Sequence, residues 1–141
     1  MSDQAKPNTP PKFFQMITKL QNPFMKWLLR SPFHRFVSNI YMLITFTGRK
    51  SGKIYTTPVQ YKREGDAVYI VTSQGYIWWK NLRGGAEVTL LIRGKSYSGH
   101  ATITEDEAQI IVHMGKIYPK MSEQKRAEFA QRMVAITITL A

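Results

Sequence analysis

The sequence predicts a mainly β, α+β domain: six antiparallel strands that close into a small barrel, with helices at both ends and one inserted. Three observations carry this. Val68, Ile70 and Thr72 alternate with Tyr69, Val71 and Ser73, and apolar residues alternate with threonine along residues 134–140, the period of a strand. Two β-rich runs, residues 86–92 and 95–104, flank Arg93-Gly94, the clearest hairpin signal in the chain. Phe13, Phe14, Ile17 and Leu20 instead recur at helical spacing.

Composition bounds the rest. A chain of 141 residues is one domain by default, and 43% hydrophobic content suits a buried core. Residues 1–11 hold three of the seven prolines and read as a disordered lead-in, leaving residues 12–141 as the domain. There is no cysteine, which excludes disulfides, a thiolate nucleophile and Cys-based metal sites, and fits a cytoplasmic protein. No apolar run approaches the ~18–20 residues of a membrane span, and no signal peptide is expected.

The net charge of +11 is uneven. Residues 1–80 carry 12 Lys/Arg against 3 Asp/Glu, whereas residues 81–141 carry 8 against 6. A positive field of this kind concentrates anions: nucleic acid, an acidic membrane surface or a polyanionic small molecule. No nucleic-acid recognition motif accompanies it, so no nucleic-acid partner is expected.

In chain order, residues 12–39 read as short helices broken by Pro23 and Pro32, each placed where a new helix can begin. Their aromatics and interleaved cations fit helices packed over a sheet; the alternative is a basic amphipathic surface in peripheral contact with a membrane. Residues 40–47 and 54–62 are paired strands, and Pro58 suggests an edge or a bulge. Residues 63–66 form a turn before the strand at 67–73. Residues 76–82 read as a short helix stopped by Gly84-Gly85. After the hairpin come a helix over 105–117, with acids in its first turn, a second helix over 123–132 capped by Ser122, and the last strand.

Catalytic signatures are absent. His34, His100 and His113 share no metal-ligand spacing, so no metal site is expected. There is no Gly-x-Ser-x-Gly elbow, and the acids at 105–107 are explained by helix capping. An enzyme without evident acid, base, nucleophile or metal takes its chemistry from a cofactor. The one segment suited to hold an anion is Gly48-Arg49-Lys50-Ser51-Gly52-Lys53. It lacks the Walker order, but its glycines let amides approach a ligand, Arg49 can fork onto phosphate or carboxylate, and Lys50 and Lys53 add point charges. Composition alone favours reading these residues as an exposed basic hairpin. Trp78 and Trp79, adjacent on a short helix, point to different sides: one suits the core, the other could shield a planar ligand. Lys80 and Arg83 extend the positive surface.

Thr47-Gly48-Arg49-Lys50-Ser51-Gly52 followed by Thr57-Pro58 resembles the signature of the deazaflavin-dependent nitroreductase / quinone reductase family. Ser73 with Gly75, Trp-x-x-Asn-Leu from Trp78 to Leu82, and Ile117-Tyr118-Pro119 extend the likeness, which runs from about Phe24 onward. The resemblance implies an FMN-binding-like split β-barrel that uses coenzyme F-420, with FMN as the alternative. It implies that Arg49, Lys50, Ser51, Gly52 and Lys53 meet the phosphate and oligoglutamate tail. Thr57, Pro58, Trp78 and Asn81 would complete the cofactor site, with the ring near Thr72, Ser73, Gln74 and Gly75. Ser73, Tyr61, Trp79 and Tyr118 become candidates for the substrate pocket, and the partner a small-molecule hydride acceptor: a quinone, nitro or enone compound. The chain departs from the family pattern where Gln60 follows Pro58-Val59, where Met121 and Gln124 replace expected tyrosines, and in a shorter segment between Gly75 and Trp78.

Overall fold

The computed structural model describes residues 26–31 and 40–141. The expected lead-in and most of the N-terminal helical region fall outside the described residues; residues 26–30 are helical. No helix among the described residues is long and apolar enough to cross a membrane.

Seven strands follow: β1 (Tyr41–Thr47), β2 (Ile54–Gln60), β3 (Lys62–Glu64), β4 (Ala67–Ser73), β5 (Ala86–Ile92), β6 (Lys95–Thr104) and β7 (Met133–Leu140). They form one sheet in the order β2-β1-β5-β6-β7-β4-β3, and every pairing is antiparallel. The six expected strands are all present; the second is divided at Tyr61. Before Tyr61 the chain pairs with β1, and after it with β4 at the other margin of the sheet. One continuous stretch therefore serves both margins and curls the sheet into a half-barrel. The ladder through Glu64 shortens the expected turn to Gly65-Asp66, with Gly65 at φ 63°. Pro58 lies on β2, an edge strand, where its missing N–H costs no ladder bond.

The pleat sorts side chains as strand alternation demands. Met42, Ile44 and Phe46 of β1, Val68 and Ile70 of β4, and Val134, Ile136 and Ile138 of β7 fill the barrel interior. Their neighbours face outward: Leu43 packs with Leu28 and Leu29, while Val71, Met133 and Ala135 lie under the helices. Each buried branched aliphatic contributes about 1.5–3 kcal/mol.

Helix α1 (Glu107–Ile117) begins two residues later than expected, because Asp106 caps it by accepting from the Gln109 amide at 3.1 Å. Helix α2 (Glu123–Ala130) is capped by Ser122, which accepts from the Lys125 amide at 3.2 Å. The inserted helix is a single 3-10 stretch, Trp78–Leu82. Its amides reach back three residues, Lys80 to the Ile77 carbonyl and Arg83 to that of Lys80.

Candidate cofactor site

The turn between β1 and β2 is built from its own atoms. The Gly48 amide donates to the Lys53 carbonyl at 2.7 Å, and the Gly52 amide to the Gly48 carbonyl at 2.9 Å. The Lys53 amide donates to Ser51 Oγ at 3.1 Å. Gly52 takes φ 71°, a left-handed conformation that suits glycine. Gly48 is required for a different reason: a Cβ there would come within 2.8 Å of both Ser51 Oγ and the Tyr55 ring. None of the described residues accepts from the Lys50 or Ser51 amide; amides in such a turn are donors of the kind that hold an anion.

The turn is fastened to the 3-10 helix. Asn81 Oδ1 accepts from the Arg49 amide at 2.9 Å. The other end of the same side chain, Nδ2, donates to the Trp78 carbonyl at 2.9 Å. Turn and helix form two walls of an open cleft of about 1020 Å³. Among the described residues, Arg49, Lys50, Lys80, Arg83 and Lys26 line it and no carboxylate does. Arg83 also pairs with Glu105 at 3.3 Å on the surface. The apolar wall is aromatic: Phe46 lies 5.8 Å from the Tyr55 ring and 5.6 Å from that of Trp78. Cations and backbone amides at the turn, with an aromatic wall beside them, fit a ligand with a planar head and a polyanionic tail.

The structure brings Arg49, Lys50, Ser51, Thr57, Trp78 and Asn81 into this cleft. Gly52 and Lys53 belong to the same turn, and Pro58 adjoins Thr57 on β2, but none of the three lines it. Asn81 uses both ends of its amide to hold the turn against the 3-10 helix, and so shapes the site.

Thr72, Ser73, Gln74 and Gly75 stand one turn upstream, at the end of β4. Ser73 is fully buried, and its Oγ accepts from the Gly75 amide at 3.1 Å. Gln74 donates through Nε2 to the Met133 carbonyl at 3.2 Å. This turn delivers the chain directly into the cleft-lining segment, the Tyr76 amide bonding back to the Ser73 carbonyl at 3.2 Å.

Three pocket candidates lie elsewhere. Trp79 is 2% exposed in the barrel core, with the Arg83 guanidinium 4.9 Å from its ring centroid. Of the adjacent tryptophans, Trp78 faces the ligand space and Trp79 the core. Tyr61 is buried at the β2–β3 bend, where desolvation pushes its phenol pKa upward. Tyr118 donates its hydroxyl to Gln60 Oε1, and burial raises its phenol well above the ordinary tyrosine range. Gln60, at the position where the family pattern has a tyrosine, is therefore the acceptor that anchors Tyr118.

Phe46, Tyr55, Thr56, Ile77 and Lys26 line the cleft without having been singled out in the sequence. Phe46 shares the parity of Met42 and Ile44, so alternation assigns it to the interior. That the interior opens into a cleft at its end is a tertiary fact.

A curled antiparallel half-barrel with a basic, aromatic cleft at its mouth is a split-barrel fold. The profile of the F-420H(2)-dependent quinone reductase family matches residues 32–140, and the chain belongs to that family. It is an F-420-dependent oxidoreductase, and coenzyme F-420 is its cofactor. Among solved structures, a conserved hypothetical protein from Mycobacterium tuberculosis aligns with TM-score 0.58 at 13% identity, covering 84% of this chain and 78% of its own. The haem storage protein HutZ from Vibrio cholerae aligns with TM-score 0.55 at 11% identity, over 84% and 89%. These likenesses are of fold.

Proposed function

We propose that the cleft beside the Gly48–Lys53 turn holds F-420 and that the acceptor reduced there is a quinone, nitro or enone compound. The observation that carries the reading is the lining among the described residues: five cations, no carboxylate and an aromatic wall. Bound reduced F-420 supplies the hydride.

The chain's own residues do the rest. Arg49 and Lys50, with the amides of Lys50 and Ser51, grip phosphate and tail carboxylates through charge-assisted hydrogen bonds. Lys53 and Lys80 add to the field. Trp78 and Phe46 cover one face of the planar head and keep water from it. Binding energy gathered on the tail orients the ring.

Fluorescence titration of F-420 against the purified protein tests this. Saturable binding is expected, with loss of at least about tenfold in affinity in the Arg49→Ala/Lys50→Ala double variant, since each charge-assisted contact contributes about 1.5–3 kcal/mol. Equal affinity in wild type and double variant would sink the assignment of the grip. Turnover with a quinone, a nitroaromatic and an enone, compared side by side, identifies the acceptor class.

A further inference from the structure

Tyr55 lines the cofactor cleft and keeps 45% of its surface exposed. Strand register places it there. Met42 pairs with Val59, Ile44 with Thr57 and Phe46 with Tyr55, and Met42, Ile44, Phe46 and Val59 all belong to the barrel core. Alternation therefore puts Tyr55 on the interior face, at the point where that face opens into the cleft. Its ring is held on two sides. It stacks on Phe46 with centroids 5.8 Å apart and planes 28° from parallel. Its Cε2 lies against Gly48, where a Cβ would come within 2.8 Å of it. A ring fixed in this way carries its hydroxyl to one place, the Gly48–Lys53 turn.

There the Tyr55 hydroxyl stands 3.4 Å from Ser51 Oγ. That is longer than the ~2.5–3.0 Å of an effective O–H···O bond, so each hydroxyl holds the other's proton only weakly. Ser51 Oγ already accepts from the Lys53 amide at 3.1 Å, which leaves its own O–H to donate. Among the described residues, neither hydroxyl has another acceptor. Two donors this far apart can converge on a single oxygen, each at about 2.7 Å from it. Arg49 and Lys50 line the cleft beside them. Hydroxyls, amides and cations reaching one corner from several directions suit a tetrahedral group with oxygens on every side better than a planar carboxylate.

We infer that Tyr55 is a further cofactor-binding residue, which with Ser51 donates to one phosphoryl oxygen of the ligand. The phosphate then sits in the Ser51–Tyr55 corner, and the carboxylates of the tail meet the cations along the rest of the cleft. The inference rests on the reading of this cleft as the F-420 site and adds to it which end of the ligand each group holds.

The test is Tyr55→Phe, which keeps the ring against Phe46 and Gly48 and removes only the O–H; an unchanged melting temperature confirms that the fold is kept. Three probes are titrated into wild type and variant: F-420, the deazaflavin alcohol that lacks phosphate and tail, and inorganic pyrophosphate. Pyrophosphate is followed by the amide NMR shifts of residues 48–53 at fixed ionic strength. The variant should bind F-420 and pyrophosphate about tenfold more weakly, the loss of one hydrogen bond to a charged group, and the alcohol as wild type does. Equal F-420 affinity in wild type and variant overturns the inference and leaves the F-420 reading intact. Equal losses for F-420 and the alcohol also overturn it, because Tyr55 then acts on the ring. If wild type binds pyrophosphate in a Tyr55-dependent way and does not bind F-420, the phosphate corner stands and the F-420 reading falls. Binding of neither removes both.

Discussion

Asn81 shows how one side chain sets the geometry of the cleft. Its amide spans from the Arg49 amide to the Trp78 carbonyl, each at 2.9 Å, and so holds the cation-bearing turn against the aromatic wall. Asn81→Ala is expected to raise KM for F-420 by up to about tenfold, from hydrogen bonds that contribute about 0.5–1.5 kcal/mol each, with kcat for the bound complex little changed. Steady-state kinetics with F-420 as the varied substrate separates the two. An Asn81→Ala enzyme that loses kcat at unchanged KM would place Asn81 at the chemistry instead. Gly48 is its counterpart within the turn, because any Cβ there strikes Ser51 and Tyr55. Sequence reasoning located both residues; that Asn81 braces the backbone of the turn depends on a contact 32 residues away in the chain.

Between elements, the end of α1 is tied to the β2 edge through the Tyr118 hydroxyl and Gln60. Tyr41 on β1 pairs in register with Gln60, and its phenol, like those of Tyr61 and Tyr118, is pushed above the ordinary tyrosine value by burial. The sign follows directly. A tyrosine whose folded pKa lies above its unfolded value, about 10, keeps its proton longer in the native state. Its stabilisation is complete below that pH and is lost as pH rises beyond it. Urea unfolding should therefore show stability falling from about pH 10 upward. In Tyr118→Phe that fall should be shallower. An identical alkaline slope in wild type and Tyr118→Phe would contradict the assignment. The strands, the β5–β6 hairpin, the Ser122 cap and the acids before α1 were all legible from alternation, turn residues and capping chemistry, which are local. The division of the second strand at Tyr61 was not, because nothing in residues 54–64 says that its two halves pair with different partners.

For the molecule as a whole, the net charge of +11 acts through the cleft where five of the cations converge. F-420 affinity should weaken steadily as salt rises through ~0.1 M, where the screening length falls to ~10 Å; binding titrations across a salt series check this, and salt-independent affinity would show that the basic rim contributes little. A core truncation acts differently. Ile136→Ala, fully buried at the barrel centre, should cost about 2–5 kcal/mol of unfolding free energy, read by denaturant titration, at any salt.

What the sequence by itself determined was the barrel's strands, the basic turn at Gly48–Lys53 and the family that such a turn belongs to. These are properties of short stretches, where periodicity, glycine placement and charge act over a few residues. Only the tertiary structure decided which tryptophan faces the ligand space, and that Tyr61, Trp79 and Tyr118 stand apart from the cleft. Each of these depends on curling one sheet until its two margins are served by a single bent strand. That closure brings together residues 30 or more positions apart, and no local pattern records it.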